Sequence, residues 1–122
     1  MKLYGYAILK IYNKNNDCNI RKIAFSYSVK ETPGAYTNAD AKKFYSPWDN
    51  YFPKDEIGKV QKDVYGTNMK YLVYLLEDDK SKAMSLIKSA IQIEIDELDK
   101  QMALKQELLG VTCGSVSEIE EL

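Results

Sequence analysis

One periodic run constrains this chain more than anything else in it. Between Asp78 and Leu109, apolar residues recur at Met84, Ile87, Ile91, Ile95, Leu98 and Met102. Steps of three or four residues average about 3.6, the period of an α-helix, and neither Pro nor Gly interrupts them. Asp78 and Asp79 stand where carboxylates favour the positive end of a helix, and Gly110 stands where a glycine can take a left-handed cap. At ~1.5 Å per residue such a helix is roughly 45 Å long. A compact domain of this size is only about 35 Å across. The C-terminal half of the helix must therefore either fray or be covered by another subunit.

The stripe itself divides the helix. From Ala83 to Ile95 it is broad, with Ala83, Leu86, Ala90 and Ile93 flanking it, which predicts packing against the protein's own sheet. Beyond Asp96 it narrows to Leu98 and Met102, then shifts to Leu104, Leu108 and Leu109. A narrow stripe suits a helix–helix seam, so Leu98, Met102, Leu108 and Leu109 are the expected oligomer interface. After Gly110, Ser115 and Glu118 have capping-box spacing; the tail 110–122 is a short helix or disordered.

The preceding residues alternate. Residues 3–12 read as a strand with Leu3, Ala7, Leu9 and Ile11 on one side, and Tyr4, Tyr6, Ile8 and Tyr12 on the other. A polar turn at 13–19 leads to Ile20–Lys30, where Ile23, Phe25, Tyr27 and Val29 share a face, and the pair makes a hairpin. Pro33 and Gly34 end it. Residues 37–55 are irregular and crowd five rings into ten positions. Glu56–Tyr65 reads as a further strand, Gly66-Thr67-Asn68 as a turn, and Met69–Leu76 as a strand buried on both faces. The fold class expected is α+β: an N-terminal antiparallel sheet of about four strands with an aromatic loop, followed by one long C-terminal helix. With 122 residues this is one domain, comprising a β module (1–77), the helix (78–109) and the tail.

Charge and rings divide at the same point. Residues 1–76 carry twelve Lys or Arg against seven Asp or Glu, and residues 77–122 carry five against eleven. All fourteen aromatic residues precede Glu77. A basic, tyrosine-rich half suits an anionic ligand with stackable rings, although tyrosine is also simply a good strand residue. An acidic helix cannot track a phosphate backbone, so duplex nucleic acid is not an expected partner, and neither is a membrane surface. Met1-Lys2 leads into a stretch broken by polar rings and Lys10, unlike a secretory leader, and no apolar run approaches the ~20 residues needed to span a bilayer. Cys18 and Cys113 are expected as reduced thiols in a cytosol.

The chemistry of catalysis is sparse. There is no histidine, so the His-dependent nucleophile pairs are excluded. Two distant cysteines cannot make a structural zinc site, and the phosphate-loop and dinucleotide glycine patterns are absent. The carboxylate groups Asp55-Glu56, Asp78-Asp79 and Glu94, Asp96, Glu97 and Asp99 sit where capping or a solvated helix face accounts for them. The chain does not read as an enzyme, and no cofactor is expected. Candidate ligand-binding residues are Arg21, the lone arginine, whose fork could take a phosphate or stack on a purine; the loop rings Phe44, Tyr45, Trp48 and Phe52, with Tyr51; Asn50 and Asn68, for a base edge or ribose; and Lys54, with Lys42 and Lys43. Each has an ordinary structural explanation too: a strand surface, a small accessory core, or self-bonded turn asparagines. Their convergence on residues 42–54 makes that loop the expected pocket.

The hairpin, Glu-Thr-Pro-Gly-Ala-Tyr at 31–36, Ile57-Gly58-Lys59, and Leu75-Leu76-Glu77-Asp78-Asp79 entering a long Lys/Glu-rich helix together resemble small bacteriophage proteins. Among these the chain most resembles the first Thoeris anti-defence protein family. The resemblance lies in architecture across most of the chain rather than in a motif. It implies a cytoplasmic homo-oligomer in an infected bacterium that sequesters, without cleaving, a cyclic ADP-ribose-type signal made by a TIR-domain protein, with cyclic oligonucleotides as a further ligand class. The family sandwiches adenine between a ring and an arginine, for which Arg21 is the only arginine here. Two other classes compete: a protein-binding inhibitor of a bacterial defence system, of anti-CRISPR or anti-restriction type, and a structural phage adaptor.

Overall fold

The structure is a computed structural model that describes residues 1–12, 18–39, 51–66 and 68–122. It is α+β: a six-stranded antiparallel sheet followed by one long helix. The strands are β1 (Lys2–Tyr12), β2 (Cys18–Glu31), β3 (Ala35–Asn38), β4 (Tyr51–Pro53), β5 (Gln61–Tyr65) and β6 (Asn68–Leu75), in the spatial order β4-β3-β2-β1-β6-β5. The helix is α1 (Lys80–Thr112). Two compact units form, Met1–Ser89 and Ala90–Leu122.

The β1–β2 hairpin follows from strict alternation. It runs in continuous register from Lys2↔Ser28 to Tyr12↔Cys18, which puts Leu3, Gly5, Ala7 and Leu9 on the same face as Tyr27, Phe25, Ile23 and Arg21. β6 pairs with the other side of β1 and adds Tyr74, Leu72 and Lys70 to that face. β2 ends where Pro33 removes a ladder donor, and the Thr32 hydroxyl closes the reversal by accepting from Ala35 N (3.1 Å) and donating to Ala35 O (2.9 Å).

Six strands replace the four expected, and the reason is length. β3 and β4 have four and three residues, too short to show a period of two, and they are held by their mutual pairing, Tyr36↔Phe52 among others. The strand expected over Glu56–Tyr65 is confined to Gln61–Tyr65. Before it, a single 3-10 turn (Lys54–Glu56) and Gly58, at a φ of 79° that favours glycine, redirect the chain, and Gly58 N is tied to Tyr74 O at 2.8 Å.

The sheet is curled, and its rings show how far. Phe52 of β4 and Tyr74 of β6 are four strands apart in the sheet order, which in a flat sheet is ~19 Å at the usual ~4.8 Å spacing. Their ring centroids are 4.9 Å apart. Phe52 also stacks on Tyr27 at 5.4 Å, and Phe25 meets Tyr27 and Tyr74 edge-on. The core is this concave face, built from Leu3, Ala7, Val29, Tyr36, Phe52, Leu72 and Tyr74. Gly5 makes room for it: a Cβ there would lie 2.4 Å from Phe25 Cε2.

Tyr6, Tyr71, Val73 and Leu75 alternate to the opposite, convex face, and β6 is buried on both faces from Tyr71 to Leu75. There the Tyr6 hydroxyl donates to Asp78 Oδ1 at 2.5 Å, at the helix entry. Asp79 Oδ1 accepts from Lys82 N at 2.9 Å and caps the first turn. Ala83 and Ile87 are fully buried, but Ile93 and Ile95, expected to face the sheet, are 64% and 44% exposed. The broad stripe thus loses its cover one to two turns earlier than its composition suggests. Gly110 does not cap α1 either: it lies inside the helix, which ends at Thr112 by tightening, with Cys113 N bonded to Gly110 O and Gly114 N to Val111 O. The Thr112 hydroxyl takes the Leu109 carbonyl (2.6 Å), so no left-handed glycine is needed. The tail forms one exposed 3-10 turn, Val116–Glu118, with Ser115 as its cap.

Candidate binding cleft on the concave face

The curl brings the β4 edge of the sheet towards its β5 edge, because only seven residues join Pro53 to Gln61. Between them lies a cleft of about 720 Å³. Tyr51, Phe52, Pro53, Glu56 and Ile57 line one side, and β5 with β6 forms the other. Its floor is Phe52, Leu72 and Tyr74, the apolar end of the concave core.

Register determines which polar groups reach it. Gln61 pairs with Leu72, Asp63 with Lys70 and Tyr65 with Asn68, so these side chains follow Tyr74 onto the concave face. Gln61 Nε2 donates to Glu56 Oε2 (3.3 Å), linking the two walls. Tyr65 is hydrogen-bonded to Asp63; that bond and the nearby negative charge raise its phenol above the usual value. Lys70 is half-buried beside them. A ring-bearing floor, two carboxylates and two lysines, Lys62 and Lys70, thus line a single concavity. Arg21 extends the row: Arg21↔Leu9 and Leu9↔Lys70 place it two strands from Lys70, exposed, just outside the cleft lining.

Of the residues singled out in the sequence, Phe44, Tyr45, Trp48 and Asn50, with Lys42 and Lys43, lie outside the described residues. Phe52 is 3% exposed, a core ring with one edge on the cleft. Lys54 is engaged elsewhere, with Nζ 2.6 Å from Glu31 Oε1 and above the Tyr36 ring. Asn68 is half-buried at the start of β6. Leu98, Met102, Leu108 and Leu109 are each more than half exposed. Leu98, Met102 and Leu109 line an open groove along α1 with Gln101, Lys105 and Gln106.

Glu56, Gln61, Asp63, Tyr65, Lys70 and Tyr74 were not legible as a group. Each looks like an ordinary strand or turn residue, and only the β5–β6 register makes them neighbours. The signal that could have found them is the parity of polar residues at 61, 63, 65, 68 and 70 across the turn at Gly66. Among the described residues no three of His, Cys, Asp and Glu gather as metal ligands, and no helix is long and apolar enough to cross a membrane. Compared with known protein-family models, curated proteins and solved structures, the chain matches none of them.

Proposed function

We propose that this chain is a non-catalytic binder that takes a nucleotide-type small molecule into the concave cleft and holds it unaltered. The ligand class is a cyclic ADP-ribose-type signal of a TIR-domain defence system, and the setting is the cytoplasm of a phage-infected bacterium. Assembly into a homo-oligomer uses Leu98, Met102, Leu108 and Leu109. What supports the ligand class is the combination of groups in one cleft. The Phe52 and Tyr74 rings give a base an apolar floor, Asp63 and Glu56 can accept from ribose hydroxyls, and Lys70 can meet a phosphate, with Arg21 exposed just outside the lining. The absence of histidine from the whole chain supports sequestration over turnover.

Isothermal titration with cyclic ADP-ribose isomers tests this. The expected result is saturable heat at micromolar concentration and intact ligand on denaturing the complex. Lys70→Ala should weaken binding roughly 10-fold or more, the usual worth of a charge-assisted hydrogen bond. Absence of heat with folded protein, or release of a cleaved product, refutes the reading. A second reading, a protein-binding inhibitor, draws on the exposed, acidic distal half of α1. It predicts no small-molecule heat and loss of inhibition when that half is recharged.

A further inference from the structure

The convex face carries a patch whose composition differs from the rest of the sheet. Register builds it in two adjacent rows. One row is Ile20, Lys10, Met69 and Val64, and the next is Lys22, Ile8, Tyr71 and Lys62, each read across β2, β1, β6 and β5. Five of these eight positions are apolar, of which Tyr71 is buried and Ile8 half-buried, and three are lysines, with Lys62 Nζ over the Tyr71 ring; none is a carboxylate. Ile20 is 69% exposed, Val64 50% and Met69 38%. Isolated surface hydrophobes need no explanation, but Met69 beside Val64, with Ile20 across the half-buried Lys10 in the same row and no carboxylate among the eight, makes a patch suited to interaction.

The rest of the chain contains a segment of complementary chemistry. Residues 90–122 hold eight Asp or Glu against two Lys, and the exposed Ile95, Leu98 and Met102 are accompanied by Glu97 and Asp99 on either side of Leu98. Ile95 to Met102 spans ~10.5 Å of helix, close to the ~14 Å across four strands, so these three side chains can lie along the apolar row. Glu97 and Asp99 then face the exposed Lys22 of the next row. We propose that the convex patch receives the distal half of α1 from a second copy of this chain. This rests on the self-assembly reading above and names the receptor surface it left open. A patch some ~14 Å across is too small for a stable interface by itself, but each copy carries one patch and one helix. Reciprocal exchange between two copies doubles the contact and closes it as a two-fold dimer, where one-way docking would leave an open chain. The attraction is between exposed charges, so salt weakens it.

Charge exchange tests the contact on the full chain, with circular dichroism checking the fold. Ile20→Glu/Lys22→Glu alters the patch and Glu97→Lys/Asp99→Lys alters the helix; all four residues are exposed. Light scattering should show dimers for the wild type and monomers for each variant at the same concentration. Mixing the two variants should restore dimers, because in the mixed pair the altered patch meets the altered helix and the native patch meets the native helix. If the patch variant dimerises like the wild type, or the mixture stays monomeric while the wild type is dimeric, the patch is not the receptor and self-assembly by another surface stands. A wild type that is monomeric at every concentration overturns assembly and patch together, leaving the ligand reading to titration.

Discussion

Gly5→Ala should destabilise the fold through one identifiable contact. Gly5 lies on β1 between Phe25 of β2 and Tyr74 of β6, and an added Cβ would stand 2.4 Å from Phe25 Cε2 and 2.5 Å from Cζ. The ring has little room to swing away. Tyr27 meets it at 5.6 Å between centroids and Tyr74 at 6.2 Å, both edge-on. Forcing a methyl into such a core costs ~1–3 kcal/mol. Replacing glycine also removes freedom from the unfolded chain, which returns roughly 0.4–1 kcal/mol. The net loss is about 2 kcal/mol at the upper end, and about 4 °C of Tm per kcal/mol makes this a shift of roughly 8 °C. Urea denaturation and a thermal scan measure it. The decisive control is a double-mutant cycle with Phe25→Leu, which removes the clashing ring atoms. In that background the cost of Gly5→Ala should fall below about 0.5 kcal/mol. An unchanged cost, or a single variant as stable as the wild type, refutes the argument that Gly5 exists to admit the Phe25 ring.

Three further outcomes follow from named contacts. Tyr6→Phe should cost ~1.5–3 kcal/mol, the worth of a hydrogen bond to a charged acceptor. Burial first, then the bond and charge of Asp78, push the Tyr6 phenol up to about 12 from an unfolded value of 10, so its contribution is complete below pH 10 and lost as pH rises towards 12. The wild-type advantage over Tyr6→Phe, measured by urea denaturation, should therefore shrink across that window and be flat below it. Asp79→Ala removes the cap on Lys82 N and should cost about 1 kcal/mol, with amide exchange accelerating in the first turn of α1. Phe52→Ala opens the ring cluster between Tyr27 and Tyr74, at ~3–5 kcal/mol, and amide exchange in β3 and β4 should rise before that in β1 and β2.

The sequence by itself determined the features set by short-range chemistry. A period of 3.6 made α1 a helix, and a carboxylate at Asp79 marked its start. Alternation made β1 and β2 a hairpin and put Phe25 and Tyr27 on one face. Near-continuous apolar character marked the part of β6 buried on both sides. These depend on residues three or four positions apart, so they survive being read one window at a time. The end of α1 did not: Gly110 carries a cap signal, but a helical backbone satisfied by 3-10 bonds and the Thr112 hydroxyl competes equally well.

Tertiary structure alone decided the curl, the two short strands and the cleft. β3 and β4 exist because Tyr36 and Phe52 find partners across the concave face, and three or four residues have no period of their own. The neighbours of Lys70 are set by two strand registers, and Phe52 reaches Tyr74 only because the whole sheet bends. Register and curvature are collective: each is the sum of many pairings, none of which is encoded at the residues that finally meet. For that reason a helix can be read from a few turns of sequence, whereas the cleft waits for every strand to be in place.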